Sequence, residues 1–123
     1  MLSLKLHEIQ FGNGSIVLEI TNNLPKTVNI SRDTILLDGF TSNKFCVKDK
    51  STNENLIYKG VSAKYRPKKI DIKDNERLES ELDLKDVYDL KKCHSYEVSF
   101  ETIAIIEDGI ENLSGIVNID MEC

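Results

Sequence analysis

The chain has 123 residues, of which 40% are hydrophobic and 30% charged, and its formal net charge is -5. That length fits one domain, 1–123, and the apolar content offsets the entropy of ordering the backbone, which excludes a disordered chain. No run approaches the roughly 18 apolar residues of a membrane helix, and the acidic balance disfavours non-specific contact with nucleic acid or anionic membrane.

The opening residues alternate, with Leu2, Leu4 and Leu6 on one strand face and Ser3, Lys5 and His7 on the other. They contain no basic region followed by an apolar block, so no signal peptide is read. With Met1 as the natural start, a cytoplasmic location is expected. Asn13-Gly14 is a hairpin signal, because both residues tolerate positive φ. The next strand places Ile16, Leu18 and Ile20 together and ends at Asn22-Asn23-Leu24-Pro25. Two β-branched pieces follow, around Val28–Ile30 and Ile35–Leu37, and Asp38-Gly39 punctuates them. Phe45 to Val47 predicts a short strand, Asp49 to Asn55 a hairpin tip, and Leu56 to Tyr65 a strand with a bend at Gly60.

Beyond the loop Arg66-Pro67-Lys68-Lys69, Ile70 and Ile72 alternate with charges, as do Leu78, Ser80 and Leu82. Asp83 to Leu90 reads as a short helical turn, since Leu84, Val87 and Tyr88 fall at helical spacing. Two long strands close the chain, near Ser95–Ile106 and Gly115–Met121. Their turn falls around Asp108-Gly109 or Asn112–Gly115. About seven to nine short strands with regular turn signals predict an all-β, immunoglobulin-like antiparallel two-sheet sandwich.

Chemistry-bearing motifs are sparse. His7 and His94 match no zinc spacing, no glycine-rich phosphate loop is present, and no cofactor is expected. Cys93 and His94, as strand neighbours, would point to opposite faces and form no nucleophile–base pair. The three cysteines are expected to be reduced thiols, with Cys46 a small buried hydrophobe between Phe45 and Val47. Cys123 is expected to pair only adventitiously, between molecules in air. Asn13-Gly14-Ser15, Asn29-Ile30-Ser31 and Asn112-Leu113-Ser114 match the glycosylation pattern, and without a secretory signal they read as chance. Glu79 and Glu81 would lie roughly 7 Å apart on one strand face, which is the reach of an acid–base pair. The same alternation turns them to solvent.

The one basic cluster is Lys64-Tyr65-Arg66-Pro67-Lys68-Lys69. A solvated loop is the plain reading, and docking on an acidic protein surface is the functional one. Lys64, Tyr65, Arg66, Lys68 and Lys69 are therefore the candidate partner-binding residues. Tyr88 and Tyr96 are structural candidates, and Tyr96 can act as a corner clamp whose hydroxyl bonds backbone a few residues upstream.

The run Phe45-Cys46-Val47-Lys48-Asp49, then Leu56 to Tyr65, then Asp74-Asn75-Glu76 to Leu84, Val87-Tyr88-Asp89-Leu90 and Tyr96-Glu97-Val98, resembles the N-terminal β-sandwich region of deuterolysin and peptidyl-Lys metalloendopeptidase precursors. Asp74-Asn75-Glu76 stands where that family has a Pro-Gly-Glu turn, and the zinc-protease domain is absent, so no peptidase activity carries over. The resemblance implies a free-standing module that associates with a protease or another protein as inhibitor, regulator or chaperone.

The leading expectation is thus a non-enzymatic protein-interaction module, monomer or weak dimer, with a protease as one partner class. Loops near Asn22–Lys26, Asp49–Asn55 and Lys91–Ser95 would enter the partner. The alternative is a small-molecule or carbohydrate binder using the acidic stretch 71–89. A structural subunit pairing through an exposed edge strand is a third reading.

Overall fold

The computed structural model describes residues 1–60 and 68–123. Lys64, Tyr65 and Arg66 of the basic cluster lie outside them. Among the described residues the fold is all-β, with eight strands: β1 Leu2–Glu8, β2 Ser15–Asn22, β3 Val28–Ser31, β4 Phe45–Asp49, β5 Lys69–Ile72, β6 Arg77–Asp83, β7 Ser95–Ile106 and β8 Gly109–Asp120. They form three antiparallel sheets, ordered β1-β2-β6, β3-β5 and β4-β7-β8. No helix among these residues is long and apolar enough to cross a membrane.

Period-two alternation builds the core. Ile16, Leu18 and Ile20 of β2 are fully buried, as are Tyr96, Val98 and Phe100 of β7. They meet Leu2, Leu6, Ile30, Ile72, Leu82 and Ile119 in one apolar cluster fed by all three sheets. β1 passes beside β8 without a ladder, and the contact is close. A Cβ on Gly115 would fall 2.4 Å from Leu6 Cδ1, so the glycine leaves room for the Leu6 side chain to pack over β8. The β7–β8 hairpin turns at Glu107-Asp108, and Gly109 opens β8 at φ 134°.

Several segments depart from expectation. Ile35 to Leu37 is no strand: Arg32–Ile35 is a 3-10 turn, and Leu36 follows at φ 53°. Ser31 Oγ donates to the Asp33 carboxylate at 2.5 Å and Arg32 bonds Asp38, so local polar contacts curl the chain while Ile35 and Leu36 still reach the core. The helical turn over 83–90 shrinks to a 3-10 turn, Leu84–Asp86. Asp83 caps it by accepting the Lys85 amide at 3.0 Å, and Leu84, Val87 and Tyr88 are buried as a compact turn. Of the expected strand from Leu56, the described part, 56–60, is irregular. Asn55, just before it, bridges to Lys48, and the Leu56 and Lys59 amides donate to the Val47 and Val87 carbonyls.

The cysteines need correction as well. Phe45, Val47 and Asp49 occupy the inward positions of β4, which turns Cys46 outward and exposes it. Cys93 and Cys123 are joined in a disulfide, where reduced thiols were expected. Cys93 is also not in a strand. It sits at φ 65° in the turn before β7, so strand parity does not govern its orientation relative to His94.

Candidate functional site

Lys68 and Lys69, the described members of the basic cluster, are exposed at the start of β5. The ladder continues one residue past the strand, because the Arg32 amide donates to the Lys68 carbonyl at 2.8 Å. β5 therefore holds Lys69 at a fixed place beside β3. From there Lys69 lines two adjoining clefts, of about 300 Å³ and about 400 Å³. Ile105 lines both as well, and Ile103 the second.

Lys44 forms the far end of the second cleft. Its ammonium donates to the Asp33 carbonyl at 2.7 Å and to Thr102 Oγ1 at 3.1 Å, with the Asp33 carboxylate 3.9 Å away. Burial lowers its pKa, and Asp33 opposes that shift. At the other end, Lys26 pairs with Asp108 of the β7–β8 turn.

The outer face of the β7–β8 hairpin adjoins these clefts. Inward Tyr96, Val98, Phe100, Thr102 and Ala104 leave the odd positions of β7 pointing out. Ile103 is 55% exposed and Ile105 70%, and Ile110, directly opposite Ile105 on β8, is 66% exposed. Ile116, at 57%, lies four rungs beyond the Ile103–Asn112 pair, opposite Ser99.

Sequence reasoning singled out none of these isoleucines. It also missed Asp49, buried at the end of β4. Asp49 Oδ2 accepts the His94 Nδ1 proton at 2.7 Å, and Oδ1 accepts the Ser51 amide at 2.8 Å. The His94 bond, assisted by the Ser51 and Thr52 amides, holds the Asp49 carboxyl below its ordinary range, against burial. A carboxyl depressed in this way adds stability that is complete above its unfolded pKa of about 3.9 and lost as pH falls through the lower folded value. Asp49→Asn is therefore expected to flatten the fall in stability on acidification below roughly pH 4. Urea denaturation across the acid range reads this out; an acid limb as steep as in the parent protein would refute the coupling.

His94 stacks against Tyr96 at 6.4 Å between ring centroids. Among the described residues no hydroxyl or thiol is bonded to the His94 ring. The Tyr96 hydroxyl accepts the Lys91 amide at 2.7 Å, five residues upstream. Tyr88 donates to Asn43 Oδ1 at 3.0 Å and meets Tyr58 edge-on at 5.8 Å. Burial pushes its hydroxyl up to about 12. Both tyrosines fasten loops to the core.

The carboxylates of 71–89 do not converge. Asp71 accepts from Asn29, Asp83 caps its turn, and Glu79 and Glu81 are exposed on β6. Among the described residues no three His, Cys, Asp or Glu side chains are placed to hold a metal ion. The three loops expected to reach a partner are occupied with internal contacts. Asn22 bonds the Lys26 and Ile72 carbonyls, Asp49 bonds His94, and Lys91 bonds Tyr96. No protein-family model matches this chain, and no curated protein does either.

Proposed function

We propose that this chain is a non-enzymatic protein-binding module, built on an immunoglobulin-like layered arrangement, whose docking face is the outer surface of the β7–β8 hairpin. One observation carries the proposal: Ile103, Ile105 and Ile110 form a contiguous exposed apolar cluster on two regularly paired strands. Single exposed hydrophobes are ordinary on a protein surface, whereas a clustered patch rimmed by polar residues marks a contact site. Here the rim is Glu101, Asn112 and Ser114 on the hairpin and Lys69 across the clefts. The resemblance to protease pro-regions makes a peptidase the first partner class to test.

Ile110→Asp places a charge in the patch at a position already open to solvent, so folding stability should change by no more than about 0.5 kcal/mol. Immobilised parent and variant chains are compared by quantitative mass spectrometry of the proteins they retain. A specific partner should fall at least tenfold on the variant. Equal recovery of every retained protein on both chains would overturn the docking face.

A further inference from the structure

The two clefts beside Lys69 follow a seam in the sheet. In an antiparallel ladder, hydrogen-bonded pairs alternate with pairs whose backbone groups point the other way. The Arg32–Lys68 bond therefore makes Ile30–Ile70 and Val28–Ile72 bonded pairs. Asn29 and Ser31 turn their N–H and C=O groups away from β5, toward β7.

The same logic applies on β7. Glu101 donates to the Lys44 carbonyl, so odd residues of β7 face β4. β4 pairs no further along, and Ile103 and Ile105 turn their backbone groups toward β3. Lys26 meets Asp108 at one end of the seam, and Lys44 meets Asp33 and Thr102 at the other. Two strand edges thus lie side by side with no ladder between them. Lys69 and Ile105 line both clefts, which makes them two halves of one trough.

We infer that this trough takes an extended peptide segment of about five residues with an acidic side chain seated between Lys44 and Lys69. The length follows from Lys26 to Ser31, which as extended chain spans roughly 17 Å. Ile103 and Ile105 supply an apolar wall for the alternate side chains of a segment that lies over the seam, whose two edges are too close for a strand to enter between them. The charge follows from the half of the trough near β4. Two ammonium groups, Lys44 and Lys69, face one carboxylate there, and Asp33 is already engaged by Ser31. Among the described residues Lys69 has no ion-pair partner, so an incoming carboxylate completes the set.

The inference rests on the binding-module reading, and its test separates the two. A fluorescent, end-blocked eight-residue peptide of alternating Val and Glu is titrated against the full chain by anisotropy, beside one of alternating Val and Lys. The Val/Glu peptide should bind. Lys69→Glu should weaken it at least tenfold and improve the Val/Lys peptide, and Ile103→Asp should weaken both. Absence of Val/Glu binding at roughly millimolar peptide, equal binding of the two peptides, or indifference to Lys69→Glu would each overturn the trough. If the peptide fails while Ile110→Asp still abolishes partner retention, the trough falls and the docking face stands. If the peptide binds as described while Ile110→Asp changes nothing, the docking face falls and the trough stands.

Discussion

Phe100→Ala is expected to remove about 3–5 kcal/mol of folding stability, the usual cost of deleting a fully buried aromatic side chain. Phe100 has no exposed surface, and its ring lies 4.8 Å from that of Phe45, its partner on β4. Phe45 in turn packs 6.0 Å from Phe40, so the ring ties β7 to β4 and to the loop before it. On its β8 side Phe100 stands opposite Gly115, the glycine over which Leu6 packs. Removing the ring opens a cavity where β1, β4, β7 and β8 converge, and no neighbouring backbone can collapse into it without breaking ladder bonds. Domains of this size are stable by only about 5–15 kcal/mol, so the variant should unfold at a much lower urea midpoint with an unchanged slope. Ile105→Ala, on the exposed face of the same strand, serves as the comparison and should stay within about 0.5 kcal/mol of the parent. A loss below about 1 kcal/mol for Phe100→Ala would show that the β4–β7 contact is not part of the core.

The all-β class was legible because alternation is a local property. Leu2, Ile16, Leu18, Ile20, Tyr96, Val98 and Phe100 all point inward, as spacing alone predicts. The segments that misled are those where tertiary contacts override local pattern. Ile35 and Leu36 are as aliphatic as any strand pair, yet the Ser31–Asp33 and Arg32–Asp38 contacts curl them into a turn that plugs the core. The helical spacing of Leu84, Val87 and Tyr88 was real, but so short a segment cannot hold a helix and settles as one tight turn.

For the candidate site, parity held information that composition hid. The alternation that buries Tyr96, Val98 and Phe100 continues through Thr102 and Ala104, and so puts Ile103 and Ile105 outside. The alternation of Phe45 and Val47 puts Asp49 inside and Cys46 out. What no local pattern contains is the company each residue keeps. His94 reaches Asp49 from 45 positions away, and Lys44 and Lys69 are brought to one trough by the packing of β3 beside β7. Lys69 was legible as a basic surface residue, while its apolar neighbours were not.

Reduction of the Cys93–Cys123 bond, or Cys93→Ser, is expected to lower stability by about 3–4 kcal/mol on the loop-closure estimate for a cross-link of this span. The cysteines are 30 residues apart, and the loop they close contains all of β7 and β8. The register explains why they meet. Ser95 pairs with Asp120, and two rungs further out the Cys93 amide donates to the Glu122 carbonyl, which brings Cys123 alongside. Met121 also bonds the His94 carbonyl, and Glu122 bonds that of Gly12, so the cross-link secures an end that hydrogen bonds already organise. Both cysteines are exposed, which leaves the bond open to a small thiol reductant without prior unfolding. Because the linked loop is the hairpin that carries Ile103, Ile105 and Ile110, the reduced chain should keep the patch at ambient temperature and lose it at a lower urea midpoint. Urea unfolding with and without dithiothreitol, beside Cys93→Ser, decides it. The reduced parent should coincide with the variant, and the variant should be indifferent to reductant. Equal midpoints for the oxidised and reduced parent would mean that hydrogen bonds alone fasten the hairpin and that the cross-link adds nothing to its stability.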